Sequence, residues 1–326
     1  MEAKTQNPYL ICGENLTKYF KVRSGMKTGL LRAVDQVNLG IYPGETFGLV
    51  GESGCGKSTL AQVLLRLQEP TGGTVRFQGQ DLGAVKGGER KKIRREMQIV
   101  FQDPYDSLNP RMTLEEIVTE PYVIHKIGTA AERKEKAKQL LEMVGLPAQQ
   151  LNRYPHQLSG GQRQRVSIAR SIALSPKLLV CDEAVSALDV SIQAQILNIL
   201  SDLKEKLGLT YLFVSHDLSV VRFISDRIGV MYFGRLVEVA ETEELFERHR
   251  HPYTRALLSA VPNPNPREKK HREPLHGEVP SLLNPPAGCI FHQRCPYAEE
   301  RCRQEKPKLE AVGDQHLVAC HRQLDF

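Results

Sequence analysis

The fold of this chain is decided by residues 51–59, which read Gly51-Glu52-Ser53-Gly54-Cys55-Gly56-Lys57-Ser58-Thr59. They follow a short apolar run, Thr46–Val50, and lead into a predicted helix, Ser58–Leu67. The pattern G-x-x-x-x-G-K-[ST] is typical of a loop whose glycines let backbone N–H groups converge on a phosphate at the positive end of a helix. In such a loop Lys57 reaches the β- and γ-phosphates and Ser58 binds Mg²⁺. We therefore predict a P-loop that binds a nucleoside triphosphate.

A second stretch supplies the carboxylates that such a loop needs for hydrolysis. The apolar run Lys177–Cys181 has the composition of a buried strand, and Asp182 and Glu183 follow it. The first carboxylate can hold Mg²⁺, directly or through water, and the second can orient or deprotonate the attacking water. Alone, this pattern would equally fit a capped strand end. Together with the P-loop, it predicts nucleotide hydrolysis.

A third stretch, Leu158-Ser159-Gly160-Gly161-Gln162, precedes a predicted helix. Ser159 can cap that helix, and the glycines allow the backbone to approach an anion closely. This is a second helix start suited to phosphate. One nucleotide does not need two, so the two sites are expected to serve different nucleotides or different subunits.

Strands and helices alternate around these motifs. The predicted strands are Leu10–Leu16, Ala33–Ile41, Thr46–Val50, Thr74–Phe77, Gln98–Gln102, Lys177–Cys181 and Thr210–Val214. The predicted helices are Ser58–Leu67, Thr113–Val118, Ala130–Val144, Gln164–Ala173 and Ser191–Leu207. This alternation predicts an α/β fold with a mostly parallel sheet covered on both faces. The helical texture of about residues 103–157 indicates a helical insertion.

The composition is that of an ordinary globular protein. The chain has 326 residues and a mass of 36.7 kDa, with 40% hydrophobic and 25% charged residues. No run approaches the roughly 18–20 apolar residues that a membrane span needs, and the polar N-terminus does not resemble a secretory signal, so we expect a cytosolic chain. The net charge of +6 fits nucleic acid, an anionic membrane or nucleotide phosphates, and equally no special partner.

A basic run, Lys86–Arg95, is the densest cluster of cations. It could form a membrane-surface or nucleic-acid patch. It fits a solvated loop and helix face better. No aromatic residues lie between the cations to stack on bases, which disfavours nucleic acid as a partner.

In their order along the chain, these motifs resemble those of the ATP-binding subunit of ABC transporters, over about residues 10–260. The matching segments are Walker A at 51–59, the Q-loop Gln102, the signature at 158–162, Walker B at 178–183, the D-loop Ser186-Ala187-Leu188-Asp189, and Val214-Ser215-His216-Asp217. The resemblance implies a P-loop ATPase with a mostly parallel sheet, an antiparallel N-terminal sheet and a helical insertion. It also implies head-to-tail pairs, in which each ATP lies between one subunit's Walker A and the partner's signature.

The resemblance assigns roles to residues that would otherwise fit ordinary structural positions. Gln102 would bind Mg²⁺ and couple it and the water to the transmembrane partner, and His216 would contact the γ-phosphate. Asp189 would communicate across the dimer. Phe20 stands where the family stacks an aromatic ring on adenine, with Tyr19 as the alternative. Ala184 departs from the family pattern, which has proline after the Walker B glutamate, and a small effect is expected.

Further segments resemble the oligopeptide/dipeptide importer subfamily, in particular its "F" subunit. They are residues 101–111, 153–156, 251–257 and 283–289. This implies an ATPase that powers peptide import through two separate transmembrane subunits docked on the helical insertion, with an extracytoplasmic peptide-binding protein delivering cargo. It also implies a second homologous ATPase, expected to be a different chain, and a peripheral position at the cytoplasmic face of the cell membrane. Nucleic acid is not an expected partner.

Other functions fit parts of the same pattern. The cargo could instead be glutathione, a murein peptide or a nickel complex. A soluble ABC ATPase acting on DNA or ribosomes would usually carry tandem domains or a long insertion, which this chain lacks. A sensor built on the same fold, with the cysteines detecting iron or oxidant, is a third interpretation.

The sequence predicts an ATPase domain over residues 1–261, a proline-rich and charged linker over 262–275, and a cysteine-rich region over 276–326. Cys289, Cys295, Cys302 and Cys320 lack zinc-ribbon spacing, yet four thiolates suit a [4Fe-4S] cluster or zinc, and free or oxidised cysteines are the third interpretation. Such tails in the peptide-importer subfamily carry [4Fe-4S], so the resemblance favours iron in a structural role. The neighbouring His292, His316 and His321 are expected to be bystanders.

Overall fold

A computed structural model describes residues 8–24, 27–103, 107–261, 283 and 285–324. The chain forms two compact units, and each combines segments that are distant in sequence. The first unit comprises Met1–Tyr42, Thr46–Ala84 and Ser215–Phe326, and the second comprises Pro43–Glu45 and Val85–Val214. The predicted linker, 262–275, lies outside the described residues.

The first unit contains an antiparallel N-terminal sheet, as predicted. Its strands are β1 (Ile11–Ser24), β2 (Lys27–Ile41), β4 (Gly72–Phe77) and β5 (Gln80–Asp81), in the spatial order β2-β1-β4-β5. Ile11 of β1 lies opposite Ile41 on one side and Phe77 on the other, and all three side chains are buried. This apolar face stabilises the sheet, since burial of aliphatic and aromatic side chains is the main favourable term.

A second set of strands in the first unit positions the P-loop. It comprises β3 (Thr46–Val50), β9 (Arg227–Tyr232), β10 (Arg235–Glu241), β12 (His316–Val318) and β11 (Glu310–Gly313). β3 pairs with β9 in parallel, and the other neighbours are antiparallel. Strands β11 and β12, which come last in the chain, thus belong to the same set as β3, whose last residue directly precedes the P-loop.

The helices of the first unit are α1 (Lys57–Leu64), α7 (Leu218–Ile224), α8 (Thr242–Arg248), α9 (Pro252–Ser259) and α10 (Glu300–Gln304). The elements predicted from the sequence include no helix near His251. Instead, α9 begins there, with Pro252 at its first position and the His251 ring accepting a hydrogen bond from the backbone N–H of Tyr253. Proline costs nothing at this position, because the first N–H of a helix has no intrahelical partner.

The second unit contains three parallel strands in the order β8-β7-β6, which confirms the predicted parallel arrangement. They are β6 (Met97–Val100), β7 (Leu178–Asp182) and β8 (Thr210–Val214). Every residue of β7 and β8 is buried. The helices of the second unit are α2 (Gly87–Glu96), α3 (Leu114–Ile124), α4 (Ala130–Met143), α5 (Gly160–Ile172) and α6 (Val190–Leu207). Short 3₁₀ turns lie at Ala148–Asn152 and Pro155–Gln157.

Helices α3 and α4 lie within residues 103–157, where the sequence predicted a helical insertion. Each starts with a capping box, Thr113 with Glu116 and Thr129 with Glu132, which satisfies backbone N–H groups at both helix starts. The basic run forms α2, and none of its residues is buried, which agrees with a solvated helix face. In the part of the chain that the structure describes, no helix combines the length and apolar character required to cross a membrane.

Candidate functional site

The P-loop conformation depends on two of its glycines. Gly51 has φ 154° and Gly56 has φ 107°. A Cβ at Gly51 would lie 2.1 Å from the Met231 carbonyl oxygen, and one at Gly56 would lie 2.0 Å from the Ala33 carbonyl oxygen. Gly54 also has a positive φ of 78°, but no non-adjacent atom in the described part of the chain lies within 4 Å of its Cβ position. Neighbouring backbone therefore excludes side chains at the two ends of the loop, whereas Gly54 supplies only conformational freedom.

Lys57 spans this loop. Its ammonium donates hydrogen bonds to the carbonyl oxygens of Gly51 (2.9 Å) and Glu52 (3.1 Å), and the residue is only 4% exposed. Helix α1 starts at Lys57 without a side-chain cap. Cationic Nζ and uncapped helical N–H groups together favour an anion at this place. Ser58 and Thr59 lie half-buried in the first turn of α1, and Ser53 is exposed on the loop.

Glu52, the second residue of the loop, contacts α9 and residues 285–324, which are called the C-terminal segment below. The sequence did not predict these contacts. Arg294 forms an ion pair with the Glu52 carboxylate at 2.9 Å, and Tyr253 accepts a hydrogen bond from the Glu52 backbone N–H at 2.9 Å. The hydrogen bond to Glu52 raises the pKa of Arg294, which stays fully charged. Cys55 is buried in the same loop, and burial raises the pKa of its thiol.

In the second unit, the Q-loop glutamine meets the Walker B glutamate. The Gln102 side-chain amide donates to the Glu183 carboxylate at 3.0 Å, although the two residues are 81 positions apart. Asp182, the last residue of β7, is buried. Glu183 has φ 49°, in the left-handed region that costs a non-glycine residue about 1–2 kcal/mol. Strained backbone of this kind concentrates at functional sites, which makes this hydrogen-bonded pair a candidate for the catalytic centre.

The signature motif forms the start of α5. Ser159 accepts a hydrogen bond from the Gln162 backbone N–H (3.3 Å), and the Gln162 side chain accepts one from the Ser159 N–H (3.1 Å). This capping box confirms the predicted role of Ser159 as a cap. The helix begins at Gly160, earlier than predicted, because both glycines are already helical.

The two signature glycines have different surroundings. A Cβ at Gly161 would lie 2.5 Å from Ile192 Cγ2 of α6, so this glycine permits close helix packing. Among the residues that the structure describes, a Cβ at Gly160 would meet only Leu188, at 3.6 Å, which is ordinary contact. Packing therefore explains the glycine at position 161 but not the one at position 160.

The remaining predicted residues lie at exposed or half-exposed positions. Asp189 precedes α6 without capping it by its side chain, and its neighbour Val190 is 81% exposed. His216 is exposed directly before α7. The Phe20 ring is half-buried, with Lys18 Nζ 5.0 Å from its centre. The Tyr19 hydroxyl instead donates to Asp35, and burial together with this bond raises the pKa of Tyr19 to about 12. Phe20 thus remains the better candidate for adenine stacking.

The four C-terminal cysteines, Cys289, Cys295, Cys302 and Cys320, line one small cavity and form no disulfide. Burial raises the pKa of Cys295 to about 11 and of Cys320 to about 12, and the neighbouring thiols contribute. His292 and His321 also line the cavity, whereas His316 binds the buried Glu238 at 2.8 Å. Among the described residues, no group of three or more His, Cys, Asp or Glu side chains is arranged to hold a metal ion.

Comparison with known proteins identifies the family. The family model for ABC transporters matches residues 34–186, and the model for the C-terminal region of oligopeptide/dipeptide transporters matches residues 237–302. The chain is 51% identical over 313 residues to the oligopeptide transport ATP-binding protein AppF of Bacillus subtilis (strain 168), covering 94% of this chain and 95% of that protein.

Solved structures agree. The dimeric ATP-binding cassette MJ0796 in a post-hydrolysis state with ADP and Pi matches with a TM-score of 0.63 and 33% identity, covering 71% of this chain and 98% of that chain. The protein cbiO1 from Clostridium perfringens, part of the transporter complex cbiONQ, matches with a TM-score of 0.64 and 27% identity, covering 74% of this chain and 93% of that chain. The chain therefore belongs to the ABC transporter family of ATP-binding proteins, with the C-terminal region of the oligopeptide/dipeptide transporters.

Proposed function

We propose that this ATPase powers the import of di- and oligopeptides through separate transmembrane subunits. The observation that carries the proposal is the match along nearly the whole chain, cassette and C-terminal region together, to an oligopeptide transport ATP-binding protein. Glutathione, murein peptides and nickel complexes are the alternative cargoes. The chain's own chemistry is the same for all of them, because the cargo is bound by other subunits.

The hydrolytic roles follow from the donor groups. The P-loop amides and Lys57 bind the β- and γ-phosphates, and Phe20 stacks on the adenine. The Ser58 hydroxyl, the Asp182 carboxylate and the Gln102 amide oxygen are hard oxygen donors of the kind that Mg²⁺ prefers, and the bound ion neutralises phosphate charge.

The proton acceptor is the Glu183 carboxylate. The attacking water gives its proton to Glu183 while its oxygen bonds to the γ-phosphorus, and the bond to the β–γ bridging oxygen breaks. Gln102 positions Glu183 through the bond described above. His216 contacts the γ-phosphate. Gln102 and His216 transmit the presence of this phosphate to the rest of the transporter.

A head-to-tail dimer completes each ATP site with a partner's signature. Three features support this arrangement: Ser159 is exposed at the start of α5, Gly160 has no packing reason to be glycine, and Val190 beside Asp189 is largely exposed. The partner is a homologous ATPase, proposed here to be a different chain.

The transmembrane subunits dock on the helical insertion. A cavity of about 510 Å³ opens beside α3, and Arg170 Nη1 donates to the Ser107 carbonyl oxygen at 2.6 Å on its wall. Val123 and Ile124 at the end of α3 are exposed apolar residues. The groove beside α3 and the exposed apolar residues at the end of α3 support docking of a helical segment of a membrane subunit. The ATPase would then lie peripherally at the cytoplasmic face of the membrane.

The cysteine-rich region is proposed to hold a [4Fe-4S] cluster in a structural role, with zinc as the alternative. The support is that all four cysteines line one cavity. Each thiolate of such a cluster binds a different iron atom, so the thiolates lie further apart than the ligands of a single ion. Anaerobic purification should give a brown protein with about four irons per chain, lost in Cys295→Ser. A colourless protein with one zinc would replace the cluster by zinc.

Peptide uptake tests the transport function. A strain lacking this gene is complemented with the wild-type chain or with Glu183→Gln, which keeps the shape of the side chain but removes the base. Uptake of labelled di- and oligopeptides should return only with the wild type. Restored uptake of glutathione or nickel, with peptide uptake unchanged throughout, would overturn the peptide assignment.

A further inference from the structure

Arg294 of the C-terminal segment is bound directly to the P-loop. Its two terminal nitrogens donate to the two carboxylate oxygens of Glu52, at 2.9 and 3.1 Å, and one also lies 3.4 Å from the Tyr232 hydroxyl. The arginine is 8% exposed. The Glu52 side chain is 29% exposed, so only the arginine is buried. A bidentate, charge-assisted pair is stronger than a neutral hydrogen bond, and its fixed geometry orients both partners.

Packed aromatic rings fix Arg294 in place. Phe291 is buried and meets the Tyr232 ring edge-on at 5.3 Å and the Tyr253 ring at 5.4 Å. Tyr253 in turn accepts the hydrogen bond from the Glu52 backbone N–H. The C-terminal segment and α9 therefore hold Glu52 at both its side chain and its backbone.

Glu52 matters because it is a negative charge inside a loop that binds an anion. Its carbonyl oxygen accepts hydrogen bonds from Lys57 Nζ (3.1 Å) and from the Cys55 backbone N–H (3.3 Å), so any shift of Glu52 moves the phosphate-binding groups. An unpaired carboxylate here would repel the phosphates of ATP. Arg294 removes that repulsion and fixes the loop in one conformation.

We propose that Arg294 is a positioning residue of the nucleotide site, which neutralises Glu52 and couples the four-cysteine segment to ATP binding. The inference rests on the proposed function of the P-loop as the ATP site. The coupling has a short covalent route, because Arg294 directly precedes Cys295 in the chain. A change in what Cys295 binds therefore alters the backbone that carries the arginine.

A charge-rescue experiment tests the positioning role. Equilibrium binding of a fluorescent ATP analogue is measured on the full chain for the wild type, Arg294→Ala, Glu52→Gln and the double variant. Arg294→Ala should raise Kd about tenfold, and the double variant should return to within about twofold of the wild type, because it removes the unpaired charge. Arg301→Ala, which breaks an exposed ion pair with Glu305 in the same segment, is the matched control and should leave Kd unchanged.

The outcomes separate the inference from the proposed function. A wild-type chain that does not bind ATP would refute the proposed function. Equally weak ATP binding by Arg294→Ala and the double variant would show that Arg294 only stabilises the fold, and would overturn the inference. A wild-type Kd in Arg294→Ala would overturn it as well. If Arg294→Ala does not fold, Arg294→Lys keeps the charge but loses the bidentate geometry, and its Kd should lie above that of the wild type. A wild-type Kd in a folded Arg294→Lys would then overturn the inference.

The coupling to the cysteines is tested by Cys295→Ser in the same assay. It should raise Kd in the wild-type background and add nothing in Arg294→Ala, because both changes act through the same contact. Fully additive effects would show that the segment reaches the P-loop by another route, and would refute the coupling. A Kd unchanged by Cys295→Ser would refute it as well.

Discussion

The two signature glycines should respond oppositely to replacement by alanine. At Gly161 the new methyl group would overlap Ile192 Cγ2 at 2.5 Å. Overpacking of this kind costs about 1–3 kcal/mol, against a gain of about 1 kcal/mol from the better helix propensity of alanine. At Gly160 the nearest atom is Leu188 Cδ2 at 3.6 Å, so only the propensity gain, of up to about 1 kcal/mol, applies. Gly161→Ala should therefore unfold at lower urea concentration than the wild type, and Gly160→Ala at the same or a higher one.

Activity should not follow stability. The methyl group at Gly160 would stand at the exposed helix start that is proposed to serve the partner's ATP, and a displacement of about 1 Å there costs about 100-fold in rate. In a homodimer Gly160→Ala should lose nearly all hydrolysis, and with a different partner chain it should silence the site completed by this signature. Urea unfolding and ATP hydrolysis by the assembled transporter measure the two effects. A stable Gly160→Ala chain that hydrolyses ATP at the wild-type rate would refute the reasoning.

Three further predictions follow from other parts of the site and fold. Gln102→Ala should lower kcat about 10–100-fold with little change in KM, measured by steady-state ATPase assays, because it removes the group that orients the catalytic base; a rise in KM alone would contradict this. Gly56→Ala should abolish ATP binding, since its Cβ would lie 2.0 Å from a carbonyl oxygen, whereas Gly54→Ala should cost only about 1–2 kcal/mol of backbone strain; equal binding by both would be the contrary result. Burial opposes ionisation of Glu238, yet hydrogen bonds from His316 and from backbone N–H groups keep its pKa below the ordinary value. The ionised Glu238 carboxylate therefore stabilises the fold fully above the unfolded pKa of about 4.3, and this contribution is lost as pH falls through the lower folded pKa. Between pH 5 and 3, the thermal unfolding temperature of Glu238→Gln should fall less than that of the wild type.

Elements that consist of one uninterrupted apolar run could be predicted closely from the sequence. Thr46–Val50 and Thr210–Val214 are strands with the predicted bounds, because each is a short apolar run closed by a change to polar residues or glycine. Helix α2 has no buried face and therefore no hydrophobic period to detect. The three-residue strand β12 includes His316, whose inward position depends on a partner 78 residues away.

In the candidate site, too, local motifs could be predicted from the sequence, whereas contacts between distant positions could not. Residues of the P-loop, Walker B and signature are recognisable because their chemistry requires local spacing. The ion pair of Arg294 with Glu52 joins positions 242 residues apart, and no local pattern marks either as a partner of the other. Helix α9 is a different case, since Pro252 at its first position was an available start signal.

The central claim is that Glu183 drives ATP hydrolysis at the P-loop of this chain. The most direct test measures ATP binding and single-turnover hydrolysis in the wild type and in Glu183→Gln. The account predicts that Glu183→Gln binds ATP with a Kd within about twofold of the wild type, while its hydrolysis rate falls by about 10²–10⁴. Hydrolysis by Glu183→Gln at the wild-type rate would contradict the account.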